Sequence, residues 1–331
     1  MISNEQILNE KEQKRLERKI IKNFLEKRNL TKFEKDSIKM LKGFLYSAYT
    51  FYKDDFYSYL KDNEETLNAV ISGLDEESKE LVNSILKDAK FISTHNYVDL
   101  IRELFNKEKE LMGHIEAVNS YSHLKLYANV YEQSIFGYKH GLIYLPDERI
   151  KFLTNKDFID GGAYIGDSAL VFEKYYHPNK IYSFEPDEEY YNSIFETIKL
   201  NNLEKVIPVK LGIGAEDCTV NFIHMSTASC ITDENTDLKV EITSIDKYVF
   251  DRNLDVGLIK MDVEGYELEA LKGAKKTIQE FKPVLSISIY HTAEQFINVI
   301  KYIQDLALGY NIIIRHLEDL QPILGTHLIA W

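Results

Sequence analysis

Two cysteines in 331 residues are too few to build a disulfide framework, and the fold must therefore rest on an apolar core. No apolar run approaches the roughly 20 residues that a bilayer-spanning helix needs. Proline is scarce, with six in the chain and only Pro146 among the first 150 residues, so long helices are uninterrupted there. Positive charge is also short: 53 acidic against 40 basic side chains give a formal net charge of −13. That balance repels phosphate backbones and argues against general nucleic-acid binding. The opening Met-Ile-Ser-Asn-Glu-Gln lacks the charged-then-apolar layout of a secretion signal. A cytoplasmic protein is expected.

What is present divides the chain in two. Residues 1–150 are rich in Lys, Glu, Leu, Phe and Tyr. Leu16, Ile20, Phe24 and Leu25 keep a one-face spacing, as do Leu81, Ile85 and Leu86 after the acidic start Asp75-Glu-Glu. Leu100, Leu104, Leu111 and Ile115 continue the pattern in a third segment. These stripes read as helix–helix packing, and the same helical faces could join copies in a homo-oligomer. Within an aromatic-rich arm near 121–146, Ser134 to Pro146 reads as a hairpin or extended arm, because glycines bracket aromatics.

From Phe158 onward, apolar runs without polar alternation imply strands buried on both faces, as in a parallel sheet. The strand candidates are 157–160, 180–185, 205–211, 256–261 and 283–290. Helices are expected to begin near Gly166, Asp187, Gly265 and Thr292. Thr219 to His224 and Lys239 to Thr243 suggest an accessory ribbon. The last two candidates, Tyr310 to His316 and Thr326 to Trp331, are joined by about nine residues, too few for a crossover helix. They must pair antiparallel if they pair at all. A nicotinamide oxidoreductase would continue with another parallel unit, so this ending disfavours it.

The most informative stretch is Asp160-Gly-Gly-Ala-Tyr-Ile-Gly-Asp-Ser168, a glycine turn between a buried strand and a helix. Glycines let the backbone pass close to a ligand, and the helix start offers free N–H groups. About 20 residues on, a second strand ends in Glu185, where a carboxylate can accept from both hydroxyls of a ribose. Asp187 reads as the N-cap of the next helix. Asp262 and Glu264, spaced i, i+2 at the end of the fourth strand, could bind a substrate hydroxyl, act as base or share a divalent ion. Glu264 could equally cap the next helix. His291 ends the fifth strand, where a neutral imidazole could remove a proton; the alternative is a cap on the helix at Thr292. No histidine spacing singles out a metal site.

Four stretches together resemble the FkbM family of S-adenosylmethionine-dependent methyltransferases: Phe158 to Ser168, Ser183-Phe-Glu-Pro-Asp187, Ile259-Lys-Met-Asp-Val-Glu-Gly-Tyr-Glu-Leu-Glu-Ala-Leu-Lys-Gly-Ala274, and Lys282 to His291. The resemblance covers about residues 155–331. It implies a class I methyltransferase fold: a doubly wound, mainly parallel α/β sheet ending in an antiparallel hairpin, here over 151–331 and preceded by the helical region 1–150. It implies S-adenosylmethionine as cofactor, held by Asp160, Gly161, Gly162, Tyr164, Gly166, Ser168, Glu185 and Asp262. Asp160 would accept from the amino group of the methionine part. It also implies methyl transfer to a hydroxyl of a sugar, glycan or other small molecule, with Asp262, Glu264 and His291 as catalytic residues. Methylation of an amine or protein side chain, and a non-catalytic donor-binding scaffold, are the alternatives.

Overall fold

The computed structural model describes residues 10–128, 131–224, 230–232 and 236–331. The N-terminal hexapeptide read above for a secretion signal lies outside them. Among the described residues no helix is long and apolar enough to cross a membrane.

The N-terminal region is helical as its apolar spacing predicts: α1 (Glu10–Glu26), α2 (Lys32–Tyr52), α3 (Phe56–Asp62), α4 (Glu64–Ile71), α5 (Glu76–Thr94), α6 (Tyr97–Asn106) and α7 (Glu108–Ser120). Side chains set several of the starts. Thr31 and Glu34 form a capping box at α2, Asp75 caps α5, and Asn96 caps α6. The third stripe is divided between two helices, because the chain leaves helical geometry at Lys107 (φ −83°, ψ 49°).

Ser134 to Pro146 is not the hairpin or arm that its glycines suggested. The amides of Gly137 and Tyr138 both donate to the Gln133 carbonyl, at 2.9 and 2.8 Å, and close a local turn instead of a ladder. The result is α8 (Gln133–Phe136) followed by a 3-10 segment at 139–144, in which His140 and Gly141 take positive φ and reverse the chain. Residues 129 and 130 of the predicted arm fall outside the described residues.

After α9 (Asp147–Leu153) the chain alternates: β1 (Asp157–Gly161), α10 (Asp167–Tyr176), β2 (Ile181–Phe184), α11 (Glu188–Asn201), β3 (Val206–Val209). The accessory ribbon follows, as β4 (Gly212–Ile213), β5 (Cys218–Ile223), β6 (Cys230–Thr232) and β7 (Lys239–Thr243). It is a separate small sheet in the order β4-β7-β5-β6. Then come α12 (Ile245–Arg252), β8 (Val256–Met261), α13 (Glu267–Lys272), α14 (Lys275–Phe281), β9 (Val284–Ser288), α15 (Ala293–Asp305), β10 (Ile312–His316) and β11 (Thr326–Ala330).

The main sheet runs β10-β11-β9-β8-β1-β2-β3. Its pairs are parallel except those of β11, which lies antiparallel to both β9 and β10. The terminal hairpin thus inserts β11 between β9 and the edge. Strand order reverses at β1, so a crevice opens beyond the carboxyl ends of β1 and β8, the usual ligand position in open α/β sheets. One apolar cluster runs from Ile38, Leu60 and Ile85 of the helical region to Ile259 and Leu285 of the sheet, without a break at residue 150.

The helical region also covers the edge strand β10. Ser78 of α5, fully buried, accepts from the Ile314 amide at 2.8 Å and donates to the Ile314 carbonyl at 3.3 Å. Arg315 pairs with Asp75 at 2.6 Å. An edge strand otherwise exposes such groups as a template for other chains. Ser78→Ala should cost about 1–3 kcal/mol, because it leaves the buried Ile314 amide without a partner. Urea unfolding followed by circular dichroism measures it, and a loss below that range would show that α5 is not tied to β10 in this way.

Candidate active site

The predicted residues gather at the carboxyl edge of β1, β2, β8 and β9, on a floor held together by Lys260. Its Nζ is sealed inside the sheet and donates to the carbonyls of Gly161 and Gly162 at 3.1 and 2.7 Å. Asp160 lies 3.3 Å away. Burial opposes the ammonium charge, but Asp160, Asp262 and Asp167 outweigh it and keep the Lys260 pKa above its usual value. Asp160 also accepts from the Ser183 hydroxyl at 3.2 Å and is itself fully buried. The structure thus places Asp160 in an internal ion pair with Lys260. Lys260 carried a signal that was not used: a charged residue between Ile259 and Met261 in an apolar strand must have a buried partner.

The glycine turn is tight, as expected. At Gly162 (φ +72°) a Cβ would lie 1.8 Å from the Asp262 carbonyl, so the residue clears room for the β8 edge. Gly166 (φ +82°) is the N-cap of α10 and abuts Ile194. Asp167 follows inside the helix, and its carboxylate accepts from the Ser168 amide at 2.8 Å. The Ser168 hydroxyl, only 2% exposed, is held by His140 Nε2 at 2.8 Å. His140 lies far away in sequence and no motif pointed to it.

Glu185 stands at the end of β2 beside Tyr164. Its Oε1 accepts from the Asp187 amide and its Oε2 from the Tyr164 amide, both at 2.9 Å. In the ionised form each oxygen keeps a second lone pair that can accept from a ligand hydroxyl. Burial pushes its carboxyl up to about 8, against the pull of those two amides. Gly161 is buried under Ile213, while Tyr164 takes φ +47° and packs its ring 4.6 Å from that of Tyr190. Asp187 caps α11 as expected.

The acidic edge surrounds His291. Nε2 lies 3.4 Å from Asp262 Oδ1 and 3.4 Å from Glu264 Oε2, and Nδ1 lies 2.9 Å from Glu267 Oε1. Neither ring nitrogen has an aligned hydrogen bond. Burial disfavours charge on the ring, but Glu267 and Glu264 override it and hold the His291 pKa well above its usual value. The neutral imidazole pictured from sequence is thus not the form that these neighbours favour. The cap on the next helix is Thr292. Capping before α13 falls to Glu267, which accepts from the amides of Val263 and Gly265 at 2.9 and 3.4 Å. Glu264 is left with its carboxylate at the edge and its backbone at φ +54°. Tyr290 donates to Asp262 at 3.1 Å. Burial works against charge on Asp262, but His291 and Lys260 keep its pKa below the usual value.

The helical half contributes to the same edge. Tyr52, at the end of α2, is buried, and its hydroxyl is pushed up by burial and then by Glu264 and Asp262. Glu132 is raised by burial and then by Glu318, Asp167, Asp262 and Glu264. Sequence gave no sign of this, because residues 52, 132 and 262 meet only in the folded chain.

Two outcomes follow. Lys260→Ala leaves Asp160 charged and buried, a change that typically costs about 3–5 kcal/mol, whereas the pair Lys260→Met with Asp160→Asn should recover much of it in a denaturant-measured double-mutant cycle. The second concerns pH. Glu185 has a folded-state pKa of about 8, above its ordinary 4.5, and Glu318 one of about 7. A raised carboxyl contributes stability that is full below the unfolded value and is lost as pH rises through the folded one. The urea midpoint should therefore fall as pH rises from about 4.5 to about 8 and level off above that, and fall less in Glu185→Gln; an equal fall in both would remove Glu185 as a source.

Comparison with known proteins bears on the family and the fold. Residues 160–312 match the family described as Methyltransferase FkbM domain. No curated protein matches the chain. Among solved structures, a crystal structure of methyltransferase FkbM from Methylobacillus flagellatus KT is similar, with a TM-score of 0.59 and 20% identity over 85% of this chain and 62% of that one. At that identity the likeness concerns the fold, and the chain spans less than two thirds of the other protein. A precorrin-6y C5,15-methyltransferase from Geobacter metallireducens GS-15 aligns at a TM-score of 0.35 and 12% identity, over 56% of this chain and 84% of that one. Residues 160–312 thus match the Methyltransferase FkbM domain, the family that the sequence motifs resemble.

Proposed function

We propose that this chain is an S-adenosylmethionine-dependent O-methyltransferase acting in the cytoplasm on a hydroxyl of a sugar, glycan or similar small molecule, with residues 151–331 as the catalytic unit and 1–150 as a helical region that walls the acceptor side. The observation that carries the reading is the placement of Glu185 and the Asp262–Glu264–His291 group on opposite sides of one glycine turn, at the point where strand order reverses. Bound there, S-adenosylmethionine would supply an electrophilic methyl group.

The residues fit such a ligand. Glu185 retains two free lone pairs at the end of β2, the position of a ribose diol in this fold class. Tyr164, Gly161 and Gly162 form the wall beside it. Asp262, held by Tyr290, faces both sides of the site, and its charge suits the sulfonium side of the donor. With Glu264 it would orient the acceptor hydroxyl and take up its proton as the oxygen is methylated. His291 lies between these carboxylates and positions them.

The crowd of carboxylates also suits a cationic amine, so an amine acceptor is the second reading. Incubation with S-adenosylmethionine and separate panels of sugars and amines, read by the mass of one added methyl group, distinguishes the two.

Calorimetric titration tests the donor site directly. S-adenosylmethionine and S-adenosylhomocysteine should bind at micromolar concentrations, and NAD should not. Glu185→Ala should weaken donor binding by about 5- to 150-fold, the equivalent of about 1–3 kcal/mol for an unmet buried hydrogen-bonding group. An unchanged affinity would withdraw the role given to Glu185, and no binding of either sulfur ligand would withdraw the methyltransferase reading of the site.

A further inference from the structure

We infer that α1, with the start of α2, is a docking face for an anionic lipid bilayer, its cations meeting lipid phosphates.

Charge is the first ground. Residues 11–42 carry 12 basic and 5 acidic side chains, whereas the rest of the chain carries 28 basic and 48 acidic. An excess of seven positive charges thus stands on a chain that is otherwise negative by twenty. Such polarity draws a protein to an anionic surface by one face only.

The second ground is where the excess lies. Arg15, Arg18, Lys19 and Lys22 are spaced i, i+3, i+4, i+7, so they share one side of α1, and all four are exposed. Arg15, Arg18 and Lys19 form no ion pair among the described residues, and Lys22 meets Glu26 only at 3.6 Å. On the other side of the helix Ile20 and Phe24 pack into the continuous apolar cluster, and Lys42 of α2 holds Glu17 at 2.8 Å. The helix, 17 residues long, is therefore fixed to the fold by one side and presents a cationic strip about 25 Å long on the other.

A cleft beside the strip selects among anionic partners. It has a volume of about 530 Å3 and combines half-buried Ile21 and Leu25 with Lys14, Arg18, Lys22 and Lys42. Apolar surface next to cations matches a lipid, whose phosphate lies beside its acyl chains. A nucleic-acid backbone offers the two aliphatic side chains nothing comparable. A second copy of this chain is disfavoured by symmetry, because a two-fold contact sets the same patch against itself, here cation against cation. Since the fold already uses Ile20 and Phe24, α1 does not sink into the bilayer as a free amphipathic helix does. Binding is therefore mainly electrostatic and weakens with salt. None of this rests on the methyl-transfer reading.

The test is flotation of the full chain with vesicles of phosphatidylcholine, with and without one quarter phosphatidylglycerol, at about 50 and about 300 mM NaCl. Binding is expected only to the vesicles that contain phosphatidylglycerol, and mainly at the lower salt. Each Lys or Arg near an anionic surface strengthens binding about fivefold, so the triple variant Arg15→Gln, Arg18→Gln, Lys19→Gln should lose roughly 100-fold. A control that removes the same charge elsewhere, Lys199→Gln with Lys239→Gln and Lys275→Gln, should bind as the wild type does; all three of its sites are exposed. Circular dichroism establishes that each variant is folded, and should the triple variant not fold, the lipid and salt dependence of the wild type decides. No binding to the phosphatidylglycerol vesicles, equal binding to both kinds of vesicle, or an equal loss in the triple variant and the control would overturn the proposal. So would tighter binding to single-stranded DNA than to vesicles, or self-association in sedimentation that the triple variant abolishes.

Discussion

The Lys260 ammonium, buried inside the central sheet, is the constraint on which the site depends. A lysine in that position is tolerable only if its charge and its donors are met, and the structure meets them with Asp160 and with the carbonyls of Gly161 and Gly162. Those partners belong to β1 and its turn, whereas Lys260 belongs to β8. One side chain therefore locks the two strands at the point where their order reverses. The lock continues through the backbone: Asp262 donates its amide to the Gly161 carbonyl at 3.1 Å, and its own carbonyl occupies the space that a side chain at Gly162 would fill. The two halves of the proposed site, Glu185 beside the turn and the acidic group after β8, are thus fixed to a shared rigid floor, as a reaction that relies on in-line positioning requires.

The fold was largely legible in the sequence because the signals for it are local. Apolar runs such as Val256 to Ile259 read as strands buried on both faces, and the nine residues between the last two strands leave no room for a helix. Helix starts at Asp187 and Thr292 were readable for the same reason, since a cap acts within three residues. Ser134 to Pro146 misled because glycines near aromatics suit a hairpin and a pair of helical turns equally; the choice depends on the Gln133 carbonyl, which collects two amides in sequence order.

The site was legible as a set of positions and not as a set of states. Strand ends place Asp262, Glu264 and His291 together, but the charge on the imidazole depends on Glu267, which looks in sequence like one of several acids on a solvated helix and is in fact fully buried. Asp160 and Ser168 were read as ligand contacts because of where they fall in the motif. Within the folded chain they also meet Lys260 and His140, which lie 100 and 28 residues away, and no spacing rule reaches that far. The same limit applies to the helical half. Tyr52 and Glu132 come near the acidic edge from a helical region whose core is continuous with that of the sheet.

That continuity bears on what the N-terminal helices do. A region attached only by a linker could move freely and would have little influence on the carboxylates at the edge of β8. Here burial is what raises Glu132, and it is deepened by the neighbouring Glu318, Asp167, Asp262 and Glu264, so part of the electrostatic character of the edge comes from packing that the family-like half of the chain does not supply alone. Several acids crowded in a low-dielectric space repel one another, and the repulsion is relieved by protonation or by an arriving positive charge. The helices therefore do more than shield the sheet. By burying part of the edge they make the more enclosed carboxylates there respond more strongly to a cation, whether it is carried by the donor or by the acceptor.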